Sequence, residues 1–111
     1  MGCPNLLSDA LLLRARFLMQ QGETSTASEL LWQSLALCKR NAMNLRLIRI
    51  TTTFADLLSR IEQPIASRRM ANRSMALAKR ASYRLEIQRI RALLDRLDRQ
   101  YPAEDRGNPE S

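Results

Sequence analysis

A repeat with a period of 40 residues is the feature of this sequence that most restricts its fold. One ungapped offset relates pairs of segments along the chain: Ala15 and Ala55, Leu18 and Leu58, Ser34–Leu37 and Ser74–Leu77, Lys39–Arg40 and Lys79–Arg80, Leu45 and Leu85, and Arg49–Ile50 and Arg89–Ile90. A period of about 20–50 residues is typical of repeat proteins, in which each unit buries its apolar face against its neighbours. Because such arrays usually present a surface to another protein, the repeat favours binding over catalysis.

Composition indicates that the repeated unit is helical. The chain has 111 residues, enough for one domain, and 45% of them are apolar. Alanine, leucine, arginine, glutamine and methionine dominate, and all of them favour helices. Thr51–Thr53 favours a strand locally, but the repeat places it within a helix. We therefore predict an all-α fold of antiparallel helical hairpins, stacked as a short array of about two and a half repeats. We expect Trp32 to pack against a neighbouring helix.

Cap and turn residues divide the chain into five predicted helices. The first helix is expected from a cap at Asn5 or Ser8 to Gln21, followed by Gly22. The second begins at a capping box at Thr26–Glu29, or alternatively at Thr24 or Ser25, and ends at Arg40. The others are expected over residues 44–61, from Pro64 to Ala81, and from a cap at Ser82 to Gln100. Short loops make successive helices antiparallel neighbours. Residues 1–4 then form an N-terminal extension, residues 5–101 the helical domain, and the polar residues 102–111 a disordered tail.

Several classes of function lack the residues that they need. The chain contains no histidine, which excludes histidine-based triads and histidine metal ligands. Cys3 and Cys38 form no CxxC pair, so a zinc site has no ligand set. No apolar run approaches the ~18 residues that cross a bilayer. We therefore expect a non-enzymatic protein without metal or cofactor, located in the cytoplasm or nucleus, where cysteines stay reduced.

Positive charge is concentrated in the second part of the chain. The formal net charge is +7, and residues 39–100 carry 15 basic against 5 acidic residues. Nearly all of the basic residues are arginines, since Lys39 and Lys79 are the only lysines. Arginine recognises carboxylates and phosphates through a planar fork of N–H donors.

Small and large residues at matching positions carry a resemblance to the tetratricopeptide repeat family. The residues that resemble its signature are Ala15, Leu18, Gly22, Ala27, Leu31, Ser34 and Leu35, followed in the second repeat by Ala55, Leu58, Ser67, Met70 or Ala71, Ser74 and Met75. The second repeat departs at Glu62, where a glycine is expected. The long period is similar to that of variants in subunit 5 of the anaphase-promoting complex and in MalT-type bacterial regulators. The resemblance implies a scaffold for protein–protein interaction, within a larger assembly such as that complex.

The resemblance also implies a partner-binding groove, because the first helix of each unit lines the concave side in such families. Carried over by register, its residues are Arg16, Arg49, Thr52, Asp56, Arg60, Arg89, Arg96 and Arg99. Asp9 and Gln20 would lie at its open end. A row of arginines suits an acidic protein segment.

Three alternatives stay open. The groove arginines can instead pair with acidic residues of the chain: Asp56, Glu62, Asp95 and Asp98. A basic helical protein can also bind nucleic acid, although residues 39–100 contain only Phe54 and Tyr83 as aromatic residues before the chain reaches Tyr101. The open ends of the array can also associate with a second copy.

Overall fold

The computed structural model describes residues 4–41 and 43–101, which form five helices. These are α1 (Pro4–Gln20), α2 (Thr24–Arg40), α3 (Asn44–Arg60), α4 (Pro64–Ala81) and α5 (Arg84–Gln100). No strand occurs in these two ranges. Helices α1, α3 and α5 begin 40 residues apart, and so do α2 and α4. The predicted all-α class is therefore confirmed. The predicted tail and most of the predicted N-terminal extension lie outside the described residues.

Two connections turn through a left-handed residue at the same place in the repeat. Gly22 has a φ of +82°, and Glu62, one period later, has a φ of +60°. After α3, the N–H of Gln63 donates to the carbonyl oxygen of Leu58 at 2.9 Å, and the equivalent bond follows α1. Such bonds satisfy carbonyls that the end of a helix leaves unpaired. The predicted role of Gly22 in ending the first helix is thus confirmed.

The left-handed conformation of Glu62 leads to a prediction about stability. We expect Glu62→Gly to raise the free energy of unfolding by about 1 kcal/mol, because a left-handed side chain costs about 1–2 kcal/mol and the greater freedom of unfolded glycine offsets part of the gain. Urea denaturation followed by circular dichroism measures this difference. Glu62→Ala is the matched control, since it removes the same side chain but keeps Cβ. Equal stabilisation by both variants would contradict the explanation.

The starts of the helices differ from the predictions. The residues that precede α2, α3, α4 and α5 make no side-chain cap hydrogen bond. Helix α2 begins at Thr24, so the alternative start there is confirmed and the capping box at Thr26–Glu29 is wrong. Ser82 does not cap α5 but ends α4 in the left-handed conformation. Ser8 lies buried inside α1, where its hydroxyl is 3.2 Å from Ser34 Oγ. Helices α2 to α5 therefore begin without a side-chain cap.

Thr51–Thr53 lies in the middle of α3, as the repeat register predicts. The three hydroxyls donate to carbonyl oxygens three or four residues earlier, at 2.8–3.0 Å. These bonds satisfy the hydroxyl groups within the helix. The repeat thus overrides the local preference for a strand.

Successive helices pack against each other in antiparallel directions. Ser34 Oγ, late in α2, donates to the carbonyl oxygen of Ser8, early in α1, at 3.3 Å. Ser74 Oγ in α4 makes the same bond to Ile48 in α3 at 3.1 Å, so both partners are displaced by 40 residues. Alternate helices also touch, α1 with α3 and α3 with α5. They run parallel, because the bonds between them join residues 37–40 positions apart.

The small residues that recur in the repeat lie in the core of the fold. Four small residues of the signature are fully buried, namely Ala15, Ala27, Ala55 and Ser74. Of the larger neighbours, Leu31 is buried, whereas Leu18, Leu58 and Leu77 are half-buried against the two apolar clusters. One cluster joins α1, α2 and α3, and the other joins α3, α4 and α5. Helix α3 contributes to both and is the centre of the fold.

A fully buried alanine has no room for a larger side chain. We expect Ala27→Leu to lower the free energy of unfolding by about 1–3 kcal/mol, because added carbon atoms force neighbouring helices apart. Thermal denaturation measures the loss. Ala36→Leu makes the same change at an exposed position of α2 and should stay within about 0.5 kcal/mol of the parent chain. An unchanged melting temperature for Ala27→Leu would contradict the packing.

Candidate functional site

A groove runs across the three parallel helices α1, α3 and α5, and it encloses a cavity of about 520 Å³. Its lining residues are Arg16, Met19 and Gln20 of α1, Thr52, Thr53, Asp56 and Arg60 of α3, and Arg89, Ala92, Leu93, Arg96 and Arg99 of α5. Five of these twelve side chains are arginines and one is acidic. The groove is therefore strongly positive.

Asp56 holds two of the arginines in place. Arg96 Nη2 lies 2.6 Å from Asp56 Oδ1, and Arg60 Nη2 lies 3.3 Å from Asp56 Oδ2. Arg96 also donates to Ser59 Oγ at 3.3 Å. Because one carboxylate is shared by two guanidinium groups, this cluster keeps a net charge of +1. The shared carboxylate also restricts both guanidinium groups before any ligand binds.

Glu86 forms a second cluster of the same kind. Its side chain is buried, with 5% of the residue exposed, and its Oε2 atom lies 3.4 Å from Arg89 Nη1 and 3.6 Å from Arg49 Nε. The second distance is that of an ion pair rather than a hydrogen bond, and Arg49 Nε is buried without a hydrogen-bond acceptor. The two arginines neutralise a buried carboxylate, so their first role is structural. Their net charge together with Glu86 is +1.

Arg16 and Arg99 have no acidic partner in the described part of the chain. Arg16 Nη2 makes one long hydrogen bond of 3.5 Å to Thr53 Oγ1. These two residues and the clusters around Asp56 and Glu86 together make eight charged side chains, six arginines and two acids, with a net charge of +4. They are Arg16, Arg49, Arg60, Arg89, Arg96, Arg99, Asp56 and Glu86. The two guanidinium groups without acidic partners are the ones most available to a ligand.

A second cavity of about 420 Å³ extends the groove along α1. Arg16 and Arg89 line both cavities, so the two are continuous. At the far side Arg46 binds Asp9 through two hydrogen bonds of 3.0 and 3.1 Å. Arg49 lines this second cavity and not the first.

The structure brings the sequence-predicted residues together. Seven of the eight line the first cavity, and Arg49 lines its extension; their role in binding a partner stays a prediction. The alternative of internal pairing holds for four of the six arginines. Arg60 and Arg96 pair with Asp56, as that alternative expected, and Arg49 and Arg89 pair with Glu86, which it did not name. Asp98 pairs with Arg68, outside the groove, and Glu62 and Asp95 form no ion pair in the ranges that the structure covers. Sequence reasoning missed Glu86, although its position three residues before Arg89 was a usable signal.

Trp32 packs against a neighbouring helix, as predicted, but its side chain is only partly covered. It packs edge-on against Phe54 of α3, with ring centroids 4.9 Å apart and an interplanar angle of 74°. It is nevertheless 55% exposed, whereas Phe54 is only 3% exposed. The two rings border an apolar groove of about 360 Å³, beside Arg69 and Arg73 of α4. This apolar groove does not share a lining residue with the arginine-lined cavities.

Within residues 4–41 and 43–101, no group of three or more cysteine or acidic side chains could hold a metal ion. No helix there has the length and apolar character needed to span a membrane. Comparison of the chain with protein-family models, with curated proteins and with solved structures finds no match.

Proposed function

We propose that this protein is a non-catalytic binding module that holds an acidic protein segment in the groove across α1, α3 and α5. The observation that carries the proposal is a continuous groove with a net charge of +4, in which Arg16 and Arg99 lack acidic partners. The proposal includes a stacked, tetratricopeptide-like arrangement of helical pairs within an intracellular assembly. Its support is the 40-residue recurrence of helix bounds, of the left-handed turn and of the Ser34 and Ser74 hydrogen bonds.

The chemistry of the groove suits carboxylates. Guanidinium groups bind them through paired, charge-assisted hydrogen bonds, and the carboxylates of Asp56 and Glu86 already fix four of the arginines. Fixing these side chains beforehand lowers the conformational entropy that a ligand must remove on binding. The positive charge of the surrounding surface would also accelerate the approach of an acidic segment.

Nucleic acid fits the structure less well than an acidic segment. Binding of single strands normally uses exposed aromatic side chains on which bases stack. No described aromatic residue lines the two arginine-lined cavities, and the exposed rings of Phe17 and Trp32 lie outside them. The three helices that carry the groove also lie side by side, so none of them projects as a single helix into a DNA groove.

The proposal can be tested by direct binding. A fluorescent peptide of about ten residues, rich in glutamate, is titrated with the protein at low and at high salt, and unlabelled peptide or duplex DNA is added as competitor. We expect binding that weakens as salt rises, because a groove open to water is screened beyond about 8–10 Å. The two competitors are compared at equal concentrations of negative charge. If duplex DNA displaces the labelled peptide as well as or better than the unlabelled peptide does, the nucleic-acid alternative is favoured and the proposal is overturned.

A further inference from the structure

Helix α1 carries an apolar stripe that no other described helix covers. Leu6, Leu13 and Phe17 are 70%, 69% and 59% exposed, and Ala10 is exposed between them. Residues at spacings of four, three and four lie on one face of a helix. A contiguous apolar stripe of this kind is unusual on a monomer and marks an interaction surface.

The equivalent positions of α3 and α5 indicate what kind of contact this stripe can make. One period later the positions of Ala10, Leu13 and Phe17 are occupied by Ile50, Thr53 and Leu57 of α3, all buried, whereas the position of Leu6 is occupied by Arg46. Two periods later the same three positions are occupied by buried residues of α5, Ile90, Leu93 and Leu97, and the position of Leu6 by Glu86. In α3 and α5 this face packs against the preceding helix, α2 or α4 respectively. At Ala10, Leu13 and Phe17 the stripe of α1 thus corresponds to a helix-packing face, and no described helix covers it.

The opposite end of the array cannot cover the stripe. The face of α5 that corresponds to the α2-facing side of α1 carries Gln88, Asp95 and Arg99, all exposed. Stacking α1 of one copy on α5 of another would bury these polar and charged groups against leucine and phenylalanine, at a high desolvation cost. A head-to-tail filament is therefore disfavoured.

Two copies of the stripe are complementary to each other when they run antiparallel. Leu6 of one copy then lies opposite Phe17 of the other, and the small Ala10 lies opposite Leu13, so each large side chain meets space or an apolar surface. On one border, Arg14 of each copy lies over Leu7 of the other, where its aliphatic stem can cover the leucine while the guanidinium stays in water. No charged residue falls within the stripe itself.

We propose that this protein forms a symmetric dimer through antiparallel packing of α1 against α1 of a second copy. A two-fold interface uses the same patch on both subunits, as this stripe would. Leu13 also lines the second cavity, so the dimer would border the groove. It does not rest on the proposed function, because it requires no ligand.

The test is sedimentation velocity of the full chain at about 5–200 µM, the range in which an interface of modest size associates. The parent chain should dimerise. A variant with Ala10→Glu and Leu13→Glu, and a second with Ala10→Lys and Leu13→Lys, should each raise the dimer dissociation constant at least about 30-fold while keeping their helical circular dichroism. Leu85→Glu, at an exposed leucine of α5, is the matched control and should leave the dimer intact.

Mixing the two variants identifies the contact. An α1–α1 interface places position 10 of one copy beside position 13 of the other, so the glutamate and lysine variants should restore the dimer when combined. The proposal is overturned if the parent chain stays monomeric throughout the range, or if the glutamate variant still dimerises. It is overturned equally if the mixture stays monomeric, because the stripe would then contact a different surface.

Discussion

Phe54→Ala should lower the free energy of unfolding by about 3–5 kcal/mol, the usual loss for a buried phenylalanine. Phe54 lies in the cluster that joins α1, α2 and α3, and its ring contacts the ring of Trp32 edge-on. The truncation removes apolar burial, leaves a cavity and releases the tryptophan at the same time. Since a small domain has only about 5–15 kcal/mol of stability, the loss is a large fraction of the total.

The experiment uses urea denaturation with two readouts. Circular dichroism reports the whole chain, and Trp32 fluorescence reports the site alone, because it is the only tryptophan. Phe17→Ala is the matched control at the other phenylalanine, which is exposed; at about 1 µM, below the expected dimer concentration, it should change stability by less than about 0.5 kcal/mol. Phe54→Leu should cost less than about 1.5 kcal/mol. Equal losses for Phe54→Ala and Phe17→Ala would contradict the core assignment.

The fold could be predicted to a large extent from the sequence because the repeat supplies information that a single segment lacks. Thr51–Thr53 alone favours a strand, but its equivalents in the repeat lie within helices, and the helix is what the structure has. Helix starts could not be predicted in this way. Thr26–Glu29 has the spacing of a capping box, yet α2 begins two residues earlier. A cap is worth about 1 kcal/mol, which is less than the packing of a buried helix face.

The site could be predicted in part, since its residues follow from the register but their pairing does not. Neighbours on parallel helices are 37 residues apart in several contacts, including Arg16 with Thr53 and Arg96 with Ser59. That separation is one period less one helical turn, and it depends on how far the helices are shifted along each other. Applied to Arg49, it identifies Glu86 as the partner. The sequence gives the period, whereas the shift comes from three-dimensional packing.

Reversing two groove charges, Arg16→Glu together with Arg99→Glu, should weaken binding of the acidic peptide by about 30–100-fold at low salt. Charge-assisted hydrogen bonds contribute about 1.5–3 kcal/mol each, and exposure to water reduces that value. These two residues are the appropriate choice because neither has an acidic partner among the described residues. Arg49 and Arg89 are not, since their reversal would leave the buried Glu86 beside two further carboxylates and would destabilise the fold itself.

Arg69→Glu together with Arg73→Glu is the matched control. It changes the net charge by the same amount on α4, beside the apolar groove at Trp32, so the long-range attraction of the peptide falls equally in both variants. We expect this control to reduce affinity by no more than about 3-fold at low salt, and the difference between the two variants to shrink as salt screens the groove. Peptide titrations of the parent and both variants, each checked for unchanged helicity, measure the difference. Equal weakening by the two double variants would show that peptide binding depends on total charge, and it would contradict binding in the groove.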